Sequence, residues 1–308
     1  MMCQFIAFTK RNIKIFFRDK GLFLVSLITP LILLVLYITF LGGIYKDTFI
    51  NSFQSDVTLS EEMINGFAAG QLVSSLLAVV PITVAFSANF IWPSDKNFGI
   101  IEDFYIAPTN KSALLFSYFF ATFICDFIIC FFTLFLGLIY IAIVGWYLSV
   151  ADVFAAIGCM LLLCLFGSSL SSLVNIFLNS KGAMSAVGTL VSSCYGFLVG
   201  AYMPLSQFAA GMRNILMFLP GTYGTGIQRN VFMRGIMGEL VTSGVPLQAV
   251  EGVKDAIDCN LYIFGAEIPY YAFYLILAGA IAVFSVLTVI FIRSKKIGGL
   301  RKRKQRTK

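Results

Sequence analysis

The first residue in this chain that could take part in chemistry is a single acid inside an apolar run. Asp126 is the one carboxylate within the stretches that are long enough to cross a membrane, which are given below. Because a charge in hydrocarbon costs about 2.5 kcal/mol or more unless it is paired or hydrated, Asp126 has two readings. It is either a structural or hydrated group, or a residue that takes part in substrate binding or coupling.

The stretch GIIEDFYIAPTNKSALL (residues 99–115) is the second candidate, because it places acids, a proline and a lysine between two apolar runs. It predicts a short helix over 98–107 that ends before Pro108, since the residue before a proline avoids helical dihedrals. Asn110 or Ser112 can then cap the long helix that follows.

An apolar ridge follows this short helix with the spacing i, i+3, i+4 and i+7: Ile101, Phe104, Tyr105 and Pro108. Glu102, Asp103 and Ile106 project elsewhere on the helix. On a cytoplasmic helix, such a ridge flanked by acids fits a groove on a partner protein. The alternative is that the ridge lies flat on the membrane, but acids disfavour an anionic lipid surface.

Several common catalytic motifs are missing from the sequence. It contains no G-x-x-x-x-G-K-[ST] phosphate loop, no H-E-x-x-H, no paired cysteine ligand spacing and no serine in G-x-S-x-G. Histidine is absent, and the 7 cysteines lie mostly in apolar runs, which favours small packing residues over a disulfide or metal framework. The chain is therefore expected to be neither an ATPase nor another enzyme, and to hold no cofactor or metal itself.

The composition indicates an integral membrane protein. Hydrophobic residues make up 59% of the chain and charged residues only 12%, whereas soluble domains are about 25% charged. An all-α fold with six transmembrane helices follows, because six stretches can cross about 30 Å of hydrocarbon. These stretches are 21–44, 64–92, 114–146, 153–178, 183–203 and 270–292.

The basic residues set the topology. Most of the 22 Lys and Arg residues lie before the first span, after the last span, or in the two connections on that same side. The positive-inside rule makes this side cytoplasmic, so both termini are expected in the cytoplasm of a multi-pass protein. The tail 293–308 and the net charge of +7 then indicate contact with anionic lipids rather than with nucleic acid.

Three further segments complete the organisation. Residues 3–20 predict an amphipathic helix in the membrane interface, the alternative being a disordered basic leader. Residues 93–112 form a cytoplasmic connection and 204–269 an external segment. In the latter, helical spacing from Phe208 ends at Pro220, and short helices are possible around 236–242 and 247–258.

The order of these features resembles the membrane subunits of type-2 ABC exporters, the ABC-2-type permease family. The amphipathic leader resembles the family's elbow helix. Glu102 and Pro108 form an E-x(5)-P pattern that resembles its coupling-helix signature. Asp103 stands where many relatives have a basic or neutral residue, so a partner groove is expected to be correspondingly basic.

The region after the fifth span carries the rest of the resemblance. The sequences GFLVGAYMPLSQF and FLPGTYGTGIQRNVF place Pro204, Pro220 and Arg229 at matching positions. The proline that many relatives have after Pro204 is missing here, because LSQF follows.

The resemblance implies a transporter complex with several subunits. Ile101, Glu102, Phe104, Tyr105 and Pro108 would couple the chain to a separate ABC ATP-binding subunit, which binds ATP and Mg. Two permease copies, as a homodimer or with a close paralogue, would enclose a substrate path in a bacterial plasma membrane, and the external segment would shape the outward gate.

The cargo is expected to be hydrophobic or amphipathic, as in multidrug efflux or the export of lipid-linked molecules. Phe67 and Phe86 of span two and Tyr195 and Phe197 of span five are candidates to line the path with Asp126, and Pro204, Pro220 and Arg229 are candidates for the gate. The alternative is an ion-coupled secondary transporter, which needs paired carboxylates or inverted repeats that the sequence lacks. A membrane enzyme or scaffold is the third class.

Overall fold

The computed structural model describes residues 2–36, 39, 42–51, 60–107, 109–178 and 181–306, and most of them are helical. The helices are α1 (Met2–Arg18), α2 (Lys20–Leu36), α3 (Gly42–Asn51), α4 (Glu61–Ala88), α5 (Ile91–Asn97), α6 (Ile100–Ile106), α7 (Lys111–Val144), α8 (Val150–Asn175), α9 (Lys181–Leu198), α10 (Ala210–Leu216), α11 (Pro220–Thr242), α12 (Leu247–Ala256) and α13 (Tyr270–Arg306). Two short strands, β1 (Tyr262–Ile263) and β2 (Ala266–Glu267), form a hairpin between α12 and α13.

Helix α4 lies at the centre of the bundle. It contacts α2, α3, α7, α8, α9 and α11, and almost all of its side chains are buried. Small residues such as Ala68, Ala69 and Gly70 allow the neighbouring backbones to approach closely, which is how helices pack where lipid removes the hydrophobic driving force.

Four helical segments are long and apolar enough to cross a membrane among the described residues: Glu61–Asn97, Lys111–Val144, Val150–Asn175 and Tyr270–Ile292. They overlap four of the six predicted spans. Helix α2 has 17 residues, with Pro30 inside it, and α9 has 18 residues with a shorter apolar part. The spans predicted at 21–44 and 183–203 therefore stay predictions, and part of the first lies outside the described residues.

Helix α1 confirms the predicted helix at the N-terminus, but its apolar side lies partly on protein. It packs along α7, and Phe16 is fully buried. The ring of Phe16 therefore lies within the protein rather than among lipid chains, because α7 and its neighbours cover it. The place of α1 at the membrane interface stays a prediction.

The helix starts are stabilised by local side chains. Asn110 accepts hydrogen bonds from the N–H groups of Ser112 and Ala113 at the start of α7, which confirms one of its two predicted caps. Ser149 and Asp152 form a reciprocal capping box at the start of α8.

The segment 204–269 is more ordered than the sequence predicts. The short helix expected up to Pro220 is α10, but Pro220 also begins the 23-residue helix α11, so the helix expected near 236–242 is only the end of a longer one. Proline suits this first position because its missing N–H has no partner there in any helix.

Candidate functional site

The connection between α4 and α7 consists of two short helices with a glycine between them. Gly99 has a φ of 76°, a left-handed conformation that favours glycine, and it turns the chain from α5 into α6. The hydroxyl of Thr109 donates a hydrogen bond to the carbonyl oxygen of Phe104 at 2.6 Å, which holds the end of α6. The short helix predicted over 98–107 is thus confirmed as Ile100–Ile106.

The apolar ridge of α6 faces the protein. Ile101 is only 5% exposed. The Phe104 ring meets the Phe8 ring of α1 edge to face, with centroids 5.1 Å apart, and the Arg11 guanidinium lies 5.4 Å from its centroid. Ile101 is therefore buried within the chain, whereas Phe104 is half-buried against α1, and the coupling role predicted for these two residues stays a prediction.

Four exposed residues lie on α6 or just before it, and we call them the α6 outer face: Phe98, Glu102, Asp103 and Ile106. Phe98 is 65% exposed and Ile106 is 85% exposed. Of the predicted coupling residues, only Glu102 lies on this face. The Tyr105 side chain and Pro108 lie outside the part of the chain that the structure describes.

Arg11 connects the elements beneath α6. Its guanidinium donates a hydrogen bond to the Asp95 carboxylate of α5 at 2.6 Å, and the Tyr118 hydroxyl of α7 donates to the same oxygen at 2.5 Å. Burial lowers the pKa of Arg11, but the hydrogen bond and charge of Asp95 more than offset this, so that pKa lies above its ordinary value. Helices α1, α5, α6 and α7 therefore meet at one guanidinium.

Replacing Asp95 with asparagine is expected to lower the free energy of unfolding by about 1.5–3 kcal/mol, because hydrogen bonds between charged groups are lost and Arg11 loses its counter-ion. Unfolding in mixed micelles, followed by tryptophan fluorescence, measures this change. Asp103→Asn is the control on the α6 outer face, where a change within about 0.5 kcal/mol is expected. Equal losses for the two variants would contradict the role given to Asp95.

Arg229 lies in a second polar cluster, in the segment predicted to be external. Its guanidinium is fully buried, lies 3.0 Å from the Asp258 carboxylate and also donates to the carbonyl oxygen of Gly200. Asp258 accepts further hydrogen bonds from the backbone N–H groups of Leu205 and Ser206. Burial raises the pKa of Asp258, while Arg229 and these N–H groups act in the opposite direction.

Of the predicted gate residues, Arg229 belongs to this cluster, Pro204 lies beside it, and Pro220 begins the helix that carries Arg229. Pro204 directly precedes Leu205, and Pro220 is the first residue of α11. The residue after it, Gly221, packs against the Tyr195 hydroxyl so closely that a Cβ there would overlap that oxygen. The structure therefore brings α9, the loop after it and the start of α11 together.

The remaining predicted path residues are dispersed. Phe67 and Phe86 are buried in α4, separated by about 28 Å at 1.5 Å per residue, and Phe67 stacks on Phe49 at 4.0 Å. Phe197 is 50% exposed, and Asp126 is fully buried on α7. These residues do not line one cavity together.

The sequence interpretation missed Asp258, Arg11, Asp95 and Tyr118. One signal was available for Asp258, because a buried Arg229 needs a carboxylate partner and 204–269 contains few acids. For the other three no local spacing gives a signal, because Arg11 is 84 positions from Asp95 and Asp95 is 23 positions from Tyr118.

Comparison with protein families gave one finding, and comparison with curated proteins gave no match. A family model described as ABC-2 type transporter matches residues 3–233, which include α1, the α5–α6 connection and most of α11. This covers well over half of the chain. The match agrees with the apolar helices of a multi-pass membrane protein. The chain therefore belongs to the ABC-2 type transporter family, whose membrane domain is the permease component of a transporter.

Proposed function

We propose that this chain is the permease subunit of an ATP-driven exporter, powered by a separate ATPase subunit that binds the α6 outer face. The observation that carries the proposal is the two-sided character of α6. Exposed acidic and apolar groups lie on its outer side, while the Phe104 ring on the inner side packs against Phe8 of α1. A partner that moves α6 would therefore move the helices that meet at Arg11.

The chemistry of this face defines the partner surface. Glu102 and Asp103 are exposed acids beside Phe98 and Ile106, so the matching groove would combine basic side chains with an apolar pocket. The sequence of this chain contains no phosphate loop, which fits an arrangement in which ATP and Mg are bound by that partner.

The proposal also includes the direction of transport and the assembly. We infer export of a hydrophobic or amphipathic cargo across the bacterial plasma membrane, with both termini cytoplasmic and the basic residues of α1 and the tail near anionic lipids. Large apolar side chains stay exposed along α7 and α13, which fits contact with lipid and with a second permease copy.

Replacing Ile106 with aspartate is expected to reduce co-purification of the ATPase by about tenfold or more, because exposed apolar anchors dominate interface energy. The chain is purified from its native membrane in mild detergent. A P-loop ATPase is identified by mass spectrometry, and ATP hydrolysis is measured. Phe104 is unsuitable for this test because its ring packs on Phe8, so that its loss would disturb folding.

Leu247→Asp is the matched control. Leu247 begins α12 in the segment predicted to be external and is 64% exposed. Leu247→Asp introduces the same charge as Ile106→Asp, but at the start of a helix, where an acidic side chain is favourable. The proposal fails if no ATPase accompanies the native chain, or if Ile106→Asp and Leu247→Asp retain it equally.

A further inference from the structure

Two cysteines and an acid meet between α7 and α8, at the residue with which the sequence argument began. Asp126 and Cys130 lie one helical turn apart on α7, and Cys164 faces them from α8. The two Sγ atoms and a carboxylate oxygen all lie within 4.8 Å of one another. All three side chains are fully buried.

One of the two oxygens of the Asp126 carboxylate lacks a hydrogen-bond partner in the part of the chain that the structure describes. The Cys130 thiol donates a hydrogen bond to its Oδ1 atom at 3.2 Å, whereas Oδ2 has no hydrogen-bond partner among the described residues. A buried polar atom without a partner is costly, because burial removes the water that would otherwise bind it. The unpaired oxygen therefore points to a ligand that the three side chains share.

The donor set selects the class of ligand. Magnesium and calcium prefer oxygen ligands, whereas two thiol sulfurs with one carboxylate oxygen suit Zn²⁺ or a similar soft divalent cation. Zinc binds sulfur at about 2.3 Å and carboxylate oxygen at about 2.0–2.2 Å, so small rotations of these side chains would bring the donors around one ion.

We propose that Asp126, Cys130 and Cys164 bind one zinc-like divalent cation that fastens α7 to α8. Metal binding releases the protons of the two thiols, and the two thiolates then balance the charge of a divalent cation, as a site in hydrocarbon favours. This proposal does not depend on the ATPase partner, since all three donors belong to this chain.

The test compares metal content in native and variant chains. Because the cluster is fully buried, each chain is expressed with zinc in the medium and then purified in detergent without chelator. We expect about one Zn²⁺ per native chain by elemental analysis. In the double variant Cys130→Ser/Cys164→Ser, the zinc content per chain should fall at least about tenfold, because both sulfur ligands are gone.

Cys159→Ser supplies the matched control. Cys159 is also buried on α8 but lies outside the cluster, so this variant should retain the metal. A zinc content unchanged in the double variant, or no zinc above the detergent background in the native chain, would overturn the proposal. Asp126, Cys130 and Cys164 would then form only a hydrogen-bonded polar cluster.

A second readout uses the native chain alone, so it does not depend on whether a variant folds. Cd²⁺ is added to native protein under mild unfolding, and cysteine alkylation is mapped by mass spectrometry. Cys130 and Cys164 should be protected together at least about tenfold, because a bound thiolate does not react, while Cys159 should not be protected. Equal alkylation of all three would also overturn the proposal.

Discussion

Replacing Arg229 with methionine is expected to lower the free energy of unfolding by about 3–5 kcal/mol, as when one partner of a buried ion pair is removed. The Arg229 guanidinium is fully buried and holds both the Asp258 carboxylate and the Gly200 carbonyl oxygen. Methionine fills a similar volume, so the loss would come from leaving Asp258 buried without its counter-ion. Denaturation in mixed micelles measures the change.

Arg234→Met is the control on the same helix. Arg234 is also an arginine of α11 opposite an aspartate, but its side chain is 76% exposed and lies 3.6 Å from Asp152. The Asp152 side chain is only 4% exposed but keeps its hydrogen bonds from the N–H and hydroxyl of Ser149, so loss of the exposed guanidinium should cost only about 0–1 kcal/mol. If Arg229→Met and Arg234→Met have equal effects, burial of the Arg229 pair does not stabilise the fold.

A double variant separates the pair from its surroundings. Asp258 has a φ of 56°, and asparagine tolerates this left-handed conformation, so Asp258→Asn removes the charge without new backbone strain. Arg229→Met with Asp258→Asn should cost less than the two single changes added together, because neither charge is then left alone. Additive losses would mean that the two residues act separately.

The sequence predicts the long helices well because their signal is local. A long run of apolar residues is sufficient to predict a helix that can span a membrane, and a cap such as Asn110 lies directly beside the helix that it starts. The ends of α4, α7 and α8 accordingly fall within a few residues of the predicted spans. Helix α2 covers only part of the predicted span 21–44 and has Pro30 inside it, and some residues of that span lie outside the described part of the chain.

The direction of the α6 ridge could not be predicted in the same way. Periodicity correctly places Ile101 and Phe104 on one side of the helix, but it does not say what covers that side. The cover is Phe8 and Arg11 of α1, which are distant in sequence. An apolar ridge is equally consistent with a partner protein and with another part of the same chain.

The first part of helix α11 was missed for a different physical reason. Its first turns contain Gly221, Gly224 and Gly226, which lower helix propensity, so the local signal favours a loop. Packing against α4, α8 and α13 stabilises the helix instead. The Arg229–Asp258 pair likewise connects residues 29 positions apart, which no local spacing indicates.

Replacing Gly235 with alanine is expected to destabilise the protein by about 3 kcal/mol, the upper end of the usual cost of overpacking. A Cβ at Gly235 would overlap the carbonyl oxygen of Tyr147 and approach its carbonyl carbon to 2.8 Å. Both contacts are with backbone in the connection between α7 and α8, so no side chain can rotate away. Helix α11 and this connection would have to separate.

Gly238→Ala is the control one turn along the same helix, where a Cβ would meet nothing within 4 Å. Alanine forms helix better than glycine by about 1 kcal/mol, so this variant should be as stable as the native chain or more so. The unfolding temperature, measured by heating in detergent followed by size-exclusion chromatography, should therefore fall for Gly235→Ala and stay the same or rise for Gly238→Ala. A Gly235→Ala protein as stable as Gly238→Ala would mean that α11 does not pack this closely on the connection. The position of Arg229 relative to Gly200 and Asp258 would then need revision, because α11 carries it.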